Sequence, residues 1–232
     1  HTPEAIVESA VKGGARCMKI FIEDGFGPAS DWPLMSKETL ARFRAATRKH
    51  NLPLLAHANA LDMQRIAIDA GVDVMIHGLW NWNESDGQEG IPAPIAAHLR
   101  KIHEKGIAYQ PTLRVLPGTA DMFRADTLKD PMYAKVVPPA ELAWYATRPG
   151  QWFKQIMREG RDPSVDTKIA HGWLKQNEQG MRALKYMHEL GHPLLVGSDT
   201  PSAPTYGSQP GYDTYREMGL MAQSGIPVPV IF

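Results

Sequence analysis

Two kinds of apolar pattern alternate along the chain: short continuous runs, and longer stretches in which apolar residues recur at helical spacing. The runs RCMKIFI (16 to 22), LPLLA (52 to 56), VDVMI (72 to 76), IAYQPTL (107 to 113) and PLLVGS (193 to 198) predict five strands. Between them, the spacing predicts helices with defined ends. Thr2 is placed to cap a first helix with Pro3 at its first position and Gly13-Gly14 at its stop. Ser36 is placed to cap a helix over 37 to 51, with Leu40, Phe43 and Thr47 on one face. Asn59 is the expected cap of a helix over 60 to 70 that Gly71 ends, and a helix over 93 to 105 carries Ile95, Leu99 and Ile102 before Gly106. From about 117 to 190 the rhythm breaks, and two helices are expected there, over 139 to 160 and 168 to 190.

Short apolar strands separated by amphipathic helices imply an α/β class with parallel strands, either a (β/α) barrel or an open doubly wound sheet. The loop EDGFGPAS after the first strand has neither the G-x-G-x-x-G spacing nor a P-loop lysine, which speaks against a nucleotide-binding open sheet. Instead, chemistry-bearing residues stand in or after strands: Lys19 within the first, His57 and His77 ending the second and third, and Asp199 following the fifth. In a barrel all strand ends of one sense open on one rim, where such residues converge.

Each of these residues also has an ordinary structural reading. A histidine after a strand can be a hydrogen-bonded core residue, and Asp199 in VGSDTPSAP can be a turn or capping aspartate. Strand alternation puts Cys17, Lys19 and Phe21 on one face and Met18, Ile20 and Ile22 on the other, so Lys19 is expected among apolar neighbours. A buried lysine must lose its charge, find an anion or be modified, and a neutral amine can add carbon dioxide to become an anionic carbamate.

Composition narrows the partners. Lys plus Arg and Asp plus Glu balance at 25 each, so no net field draws the chain to nucleic acid or an anionic membrane, and a small-molecule substrate is the expected partner. No apolar run approaches the ~18 residues of a membrane span. The single cysteine, Cys17, cannot form an internal disulfide, and the sequence assigns no compartment. With 232 residues, one barrel portion over 1 to 232 is expected, with 117 to 190 as a helical insertion or cap before the last strand.

The segments CMKIFIEDGFG, LLAHANALDMQRIAIDAGVDVMIHG and PLLVGSDTPSAP resemble the strand 4, 5, 6 and 8 motifs of the amidohydrolase superfamily, specifically its imidazolonepropionase-like and prolidase-like members with a carboxylated lysine. The resemblance implies a (β/α)8 TIM barrel holding one or two divalent metals, commonly zinc. It implies Lys19 as a bridging carbamate made from carbon dioxide, His57 and His77 as ligands of one metal, and Asp199 as ligand of the other and proton carrier. The implied reaction is cleavage of an amide or related C–N bond by a metal-activated hydroxide, in a small cyclic amide, an acyl-amino acid or a dipeptide. The family's His-x-His pair of strand 1 has no counterpart among the nine histidines here, since HAN at 57 to 59 ends in asparagine. The chain is therefore expected to be an incomplete barrel, strands 4 to 8, completed by the N-terminal part or by association in a homo-oligomer. Relatives often carry a histidine near PGYDTYREM, where this chain has Tyr212 and Asp213, so Tyr212 is expected to be a substrate-binding residue and the substrate preference is expected to differ.

Two alternatives stay open. HELGH at 188 to 192 matches the H-E-x-x-H pattern of metallopeptidases, with Glu217 as a distant third ligand, although Gly191 and Pro193 read as a helix end. A catalytically inert barrel portion serving in binding or assembly is the other. Tyr109, Gln110, Trp80 and Trp82 are expected near the barrel mouth, as substrate-pocket lining or as packing.

Overall fold

Thr2 and Ser36 act as the sequence predicts: their hydroxyls accept the Ala5 and Thr39 N–H groups and so start helices α1 (Pro3–Lys12) and α2 (Lys37–Lys49). The structure, a computed structural model, describes residues 1 to 25, 31 to 202 and 205 to 232. They form two compact units, His1–Pro111 with Arg182–Leu195 and Thr112–Met181 with Val196–Phe232.

The first, the sheet unit, holds β1 (Met18–Phe21), β2 (Leu54–His57), β3 (Val74–Ile76) and β4 (Ala108–Gln110) in one parallel sheet of order β1-β2-β3-β4. Helices α2, α3 (Leu61–Ala70) and α4 (Ala93–Glu104) make the crossovers. Strands that stay neighbours in chain order, without a reversal of direction, form an arc of a (β/α) barrel rather than a doubly wound sheet. Register separates two faces. Ile20, Ala56, Met75 and Tyr109 align and are buried, whereas Lys19, Leu55, Val74 and Ala108, and above them Phe21, His57, Ile76 and Gln110, align on the other face. The apolar stripes of the helices, among them Val7, Leu40, Phe43, Ile68, Leu99 and Ile102, are buried as well.

The expected fifth strand is reduced to one bridge, in which Leu194 pairs with Tyr109 and the Leu195 N–H donates to the Tyr109 carbonyl at 2.9 Å. Pro193 has no N–H to extend the ladder, and Gly191, at φ +70°, has just turned the chain out of a helix. Asn59 does not cap α3. Ala60 occupies the cap position without a side-chain bond, because the Asn59 side chain turns toward His57 instead.

The second unit is helical among the described residues: α5 (Val115–Asp121), α6 (Tyr133–Val136), α7 (Pro139–Tyr145), α8 (Trp152–Arg158), α10 (Tyr212–Gln223) and α11 (Val228–Ile231). The long α9 (Asp166–Glu189) gives its residues up to Met181 to this unit and its last turns to the sheet unit. Ala120, Met122, Phe123, Tyr133, Val137, Tyr145, Ala170 and Tyr206 form its core. The helix expected over 139 to 160 is split. Pro149 lacks an N–H, and Gly150 comes so close that an added Cβ would lie 2.1 Å from the Trp144 carbonyl oxygen.

Candidate functional site

Parallel register brings the ends of β1, β2 and β3 side by side, and aromatic rings fill the rim. The Phe21 and His57 rings stack with centroids 4.1 Å apart, His57 meets His77 edge-on at 4.5 Å, and Trp80 follows His77 at 5.5 Å. His57 is the last residue of β2 and lies level with Phe21 and Ile76. His77 comes one residue after β3 and reaches the same place through a backbone φ of +76°, a conformation that costs a non-glycine residue energy and tends to persist where function requires it. Gly78 allows this turn. Its N–H donates to the Pro111 carbonyl at 2.8 Å, and an added Cβ would come within 2.7 Å of the Trp80 indole nitrogen.

The two imidazoles are buried, His77 at 2% exposure. Burial holds His77 well below the usual histidine range, and the electrostatic influence of the neighbouring His57 and Lys19 acts in the same direction. At neutral pH it is thus an uncharged imidazole with a lone pair, the form that binds a metal.

One residue of this rim has no signal in the sequence motifs. Glu23, two positions after β1, is 5% exposed, accepts the Asn59 N–H through Oε2 at 2.8 Å, and holds that oxygen 3.5 Å from His57 Nε2. The Asn59 side-chain nitrogen is 3.4 Å from the same ring nitrogen, while Asn59 Oδ1 is buried without a hydrogen-bond partner among the described residues. A carboxylate beside a histidine nitrogen fixes the ring's orientation and tautomer. Only a strand register that sets β1 beside β2 reveals the pairing.

Lys19 departs from expectation. Its face, shared with Cys17 and Phe21, is exposed, so Lys19 meets water and burial does not drive its modification. Its charge still acts on His77. Tyr109 lies on the buried face of the sheet and is fully buried. Its hydroxyl, kept protonated by burial, accepts the Leu79 N–H at 2.8 Å, so it braces the segment after His77 rather than lining a mouth. Trp82 is likewise core, its indole N–H donating to the Leu79 carbonyl at 3.0 Å and the Arg182 guanidinium lying 4.9 Å above its ring. Gln110 is level with His57 on the sheet face that carries the histidines.

Asp199 and Tyr212 belong to the helical unit. Asp199 is half-buried with φ +52°, between Ser198 and Thr200, whose hydroxyls bond at 2.7 Å. Tyr212 opens α10 beside Tyr133, ring centroids 5.9 Å apart, with the Arg216 guanidinium 5.5 Å from its ring.

HELGH does not form a zinc-binding helical face. The helix ends at Glu189, and Glu189 pairs with Lys185 at the surface. His192, beyond the Gly191 turn, bonds the Ile107 carbonyl through Nε2 at 3.0 Å and approaches His103 through Nδ1 at 3.3 Å. Glu217 is committed in its own unit, where it accepts the Leu113 and Arg114 N–H groups at 2.9 and 2.6 Å. Among the described residues no three His, Cys, Asp or Glu side chains gather closely enough to hold a metal. The sheet unit nonetheless offers two touching imidazoles, one held neutral, next to an orphaned buried amide oxygen, a donor set that suits a divalent cation.

No protein-family model and no curated protein matches the sequence. Solved structures do. The chain is similar to a Xaa-Pro dipeptidase with bound methionine in its active site (19% identity, TM-score 0.57, covering 100% of this chain and 45% of that one). It is also similar to the ochratoxinase of A. niger (18%, 0.58, 99% and 40%) and to an amidohydrolase (15%, 0.58, 99% and 42%). At these identities the likeness establishes the fold: the chain has the amidohydrolase fold and forms part of its barrel, spanning less than half the length of these solved chains.

Proposed function

We propose that this chain, built as part of an amidohydrolase barrel, belongs to a metal-dependent hydrolase of amide or related C–N bonds. The observation that carries the reading is the contact of His57 and His77, 4.5 Å between ring centroids, at the ends of adjacent parallel strands. His57 and His77 would hold a divalent cation, zinc by donor type, with Lys19 as carbamate and Asp199 as the further ligands. Such a cation would lower the pKa of a bound water to about 7 and would polarise a carbonyl. The chain's own residues do the rest. Glu23 keeps His57 oriented through its Nε2 side, and burial keeps His77 uncharged. Asp199 takes a proton from the attacking water and delivers it to the departing amine nitrogen as the C–N bond breaks, so that the acyl carbon keeps the hydroxyl. The substrate class is a small cyclic amide, an acyl-amino acid or a dipeptide. The name of one similar solved structure, a Xaa-Pro dipeptidase, supports the last.

In this reading the open side of β1, which has a strand neighbour on one side among the described residues, is covered by further barrel strands from residues outside this sequence or from a second copy. Hydrolysis of Xaa-Pro dipeptides and N-acyl amino acids, followed with zinc and bicarbonate present, tests the activity. The unaltered chain turns over at least one of them, and Asp199→Asn slows it by about 10²- to 10⁴-fold while circular dichroism is unchanged. A chain inert toward all of them would instead be the non-catalytic barrel portion, and an unaffected Asp199→Asn would remove the proton carrier.

A further inference from the structure

The helical unit contains a cavity of about 350 Å³ lined by Asp121, Arg124, Asp126, Thr127, Lys129, Asp130, Tyr133 and Arg216. We propose that it is a binding site for a small organic carboxylate, received by the Tyr133 hydroxyl and the Lys129 ammonium.

The argument is a count of donors and acceptors. Arg114, 1% exposed, donates through Nε to Asp213 at 3.0 Å, and through Nη2 to Asp121 at 2.7 Å and the Gly207 carbonyl at 3.0 Å. Arg216 donates to the same Asp121 oxygen at 3.0 Å. Asp121 is therefore matched by two guanidinium groups. Asp126 lies 3.4 Å from Arg124, and Asp130 accepts the Met132 N–H at 2.9 Å. The acids around the cavity thus have partners within the protein. The donors do not all have them. Tyr133, 1% exposed, has a hydroxyl with no hydrogen-bond partner among the described residues. Lys129 is exposed at the rim and forms no ion pair among the described residues. Burial keeps Tyr133 protonated, so its hydroxyl has a hydrogen to donate.

A buried donor left without an acceptor is rare in folded proteins, and one lining a polar cavity beside an exposed ammonium calls for a group that only accepts. A carboxylate is such a group: it can take a tyrosine O–H and an ammonium together, and the cavity leaves room for the carbon skeleton attached to it. The cavity belongs wholly to the helical unit, so the proposal does not depend on the hydrolase reading.

The test titrates acetate, succinate and inorganic phosphate into the full chain, with binding followed by calorimetry and by amide shifts around Lys129. Acetate or succinate is expected to bind saturably and more tightly than phosphate, and Tyr133→Phe and Lys129→Ala to weaken it by about tenfold each. The ligand-free Tyr133→Phe chain is expected to melt at or above the temperature of the unaltered chain, because the lost hydroxyl has no partner to lose. Absence of saturable carboxylate binding, preference for phosphate, or unchanged affinity in Tyr133→Phe would each overturn the site. So would a melting temperature lowered by several degrees, since the hydroxyl would then serve the fold through a bound water.

Discussion

Glu217 is fully buried on α10, and its two carboxylate oxygens accept the backbone N–H groups of Leu113 and Arg114. Those bonds and the Arg114 charge favour the ionised form, but burial outweighs them and pushes the carboxyl up to about 7. A carboxyl that holds its proton more tightly when folded than when unfolded stabilises the fold fully below its unfolded value of 4.5, and loses that contribution as pH rises through about 7. The expected stability difference between Glu217→Gln and the unaltered chain therefore changes between pH 5 and pH 8 by up to an order of 3 kcal/mol, in favour of the variant at the higher pH. Urea unfolding at the two pH values reads it, and a difference independent of pH would show that the carboxylate stays ionised. At this scale the sequence placed His57 and His77 at the ends of adjacent strands, where the structure has them. It misled on the burial of Lys19: alternation says which residues share a face, but not which face is covered. Glu23 escaped notice because its partners, His57 and Asn59, are 34 and 36 positions away and meet it only through strand pairing.

Caps and glycines made most of the sheet unit's elements readable. Thr2, Ser36 and Gly71 mark the ends of α1, α2 and α3 within a residue or two of where they fall. The Ser36 hydroxyl receives the Thr39 N–H at 3.1 Å, so Ser36→Ala is expected to cost about 1 kcal/mol, measured as a lowered urea midpoint with unchanged slope. No loss would mean that tertiary packing alone fixes the start of α2. The misses have local causes. Asn59 left the capping role for the histidine rim, Pro193 cut the fifth strand to a bridge, and Pro149 with Gly150 split a helix whose apolar spacing alone ran on. Short α5, α6 and α11 left no periodic pattern long enough to detect.

For the whole molecule, strand order is the strongest statement the structure makes. Four parallel strands in chain order, each bringing its end to one rim, set His57 against His77 with the help of the turn after β3. The alternation of runs and helices made that arc predictable from sequence. The division into a sheet unit and a helical unit was not, since the second unit is assembled from two separate stretches of chain. The central claim is that the two imidazoles together hold a divalent cation. Calorimetric titration of zinc into the metal-free chain tests it most directly, using the unaltered protein, His57→Ala and His77→Ala, each with its folded spectrum verified. The account predicts saturable zinc binding that either substitution weakens on the order of a hundredfold. No zinc binding by the unaltered chain, or binding that survives both substitutions, would contradict it.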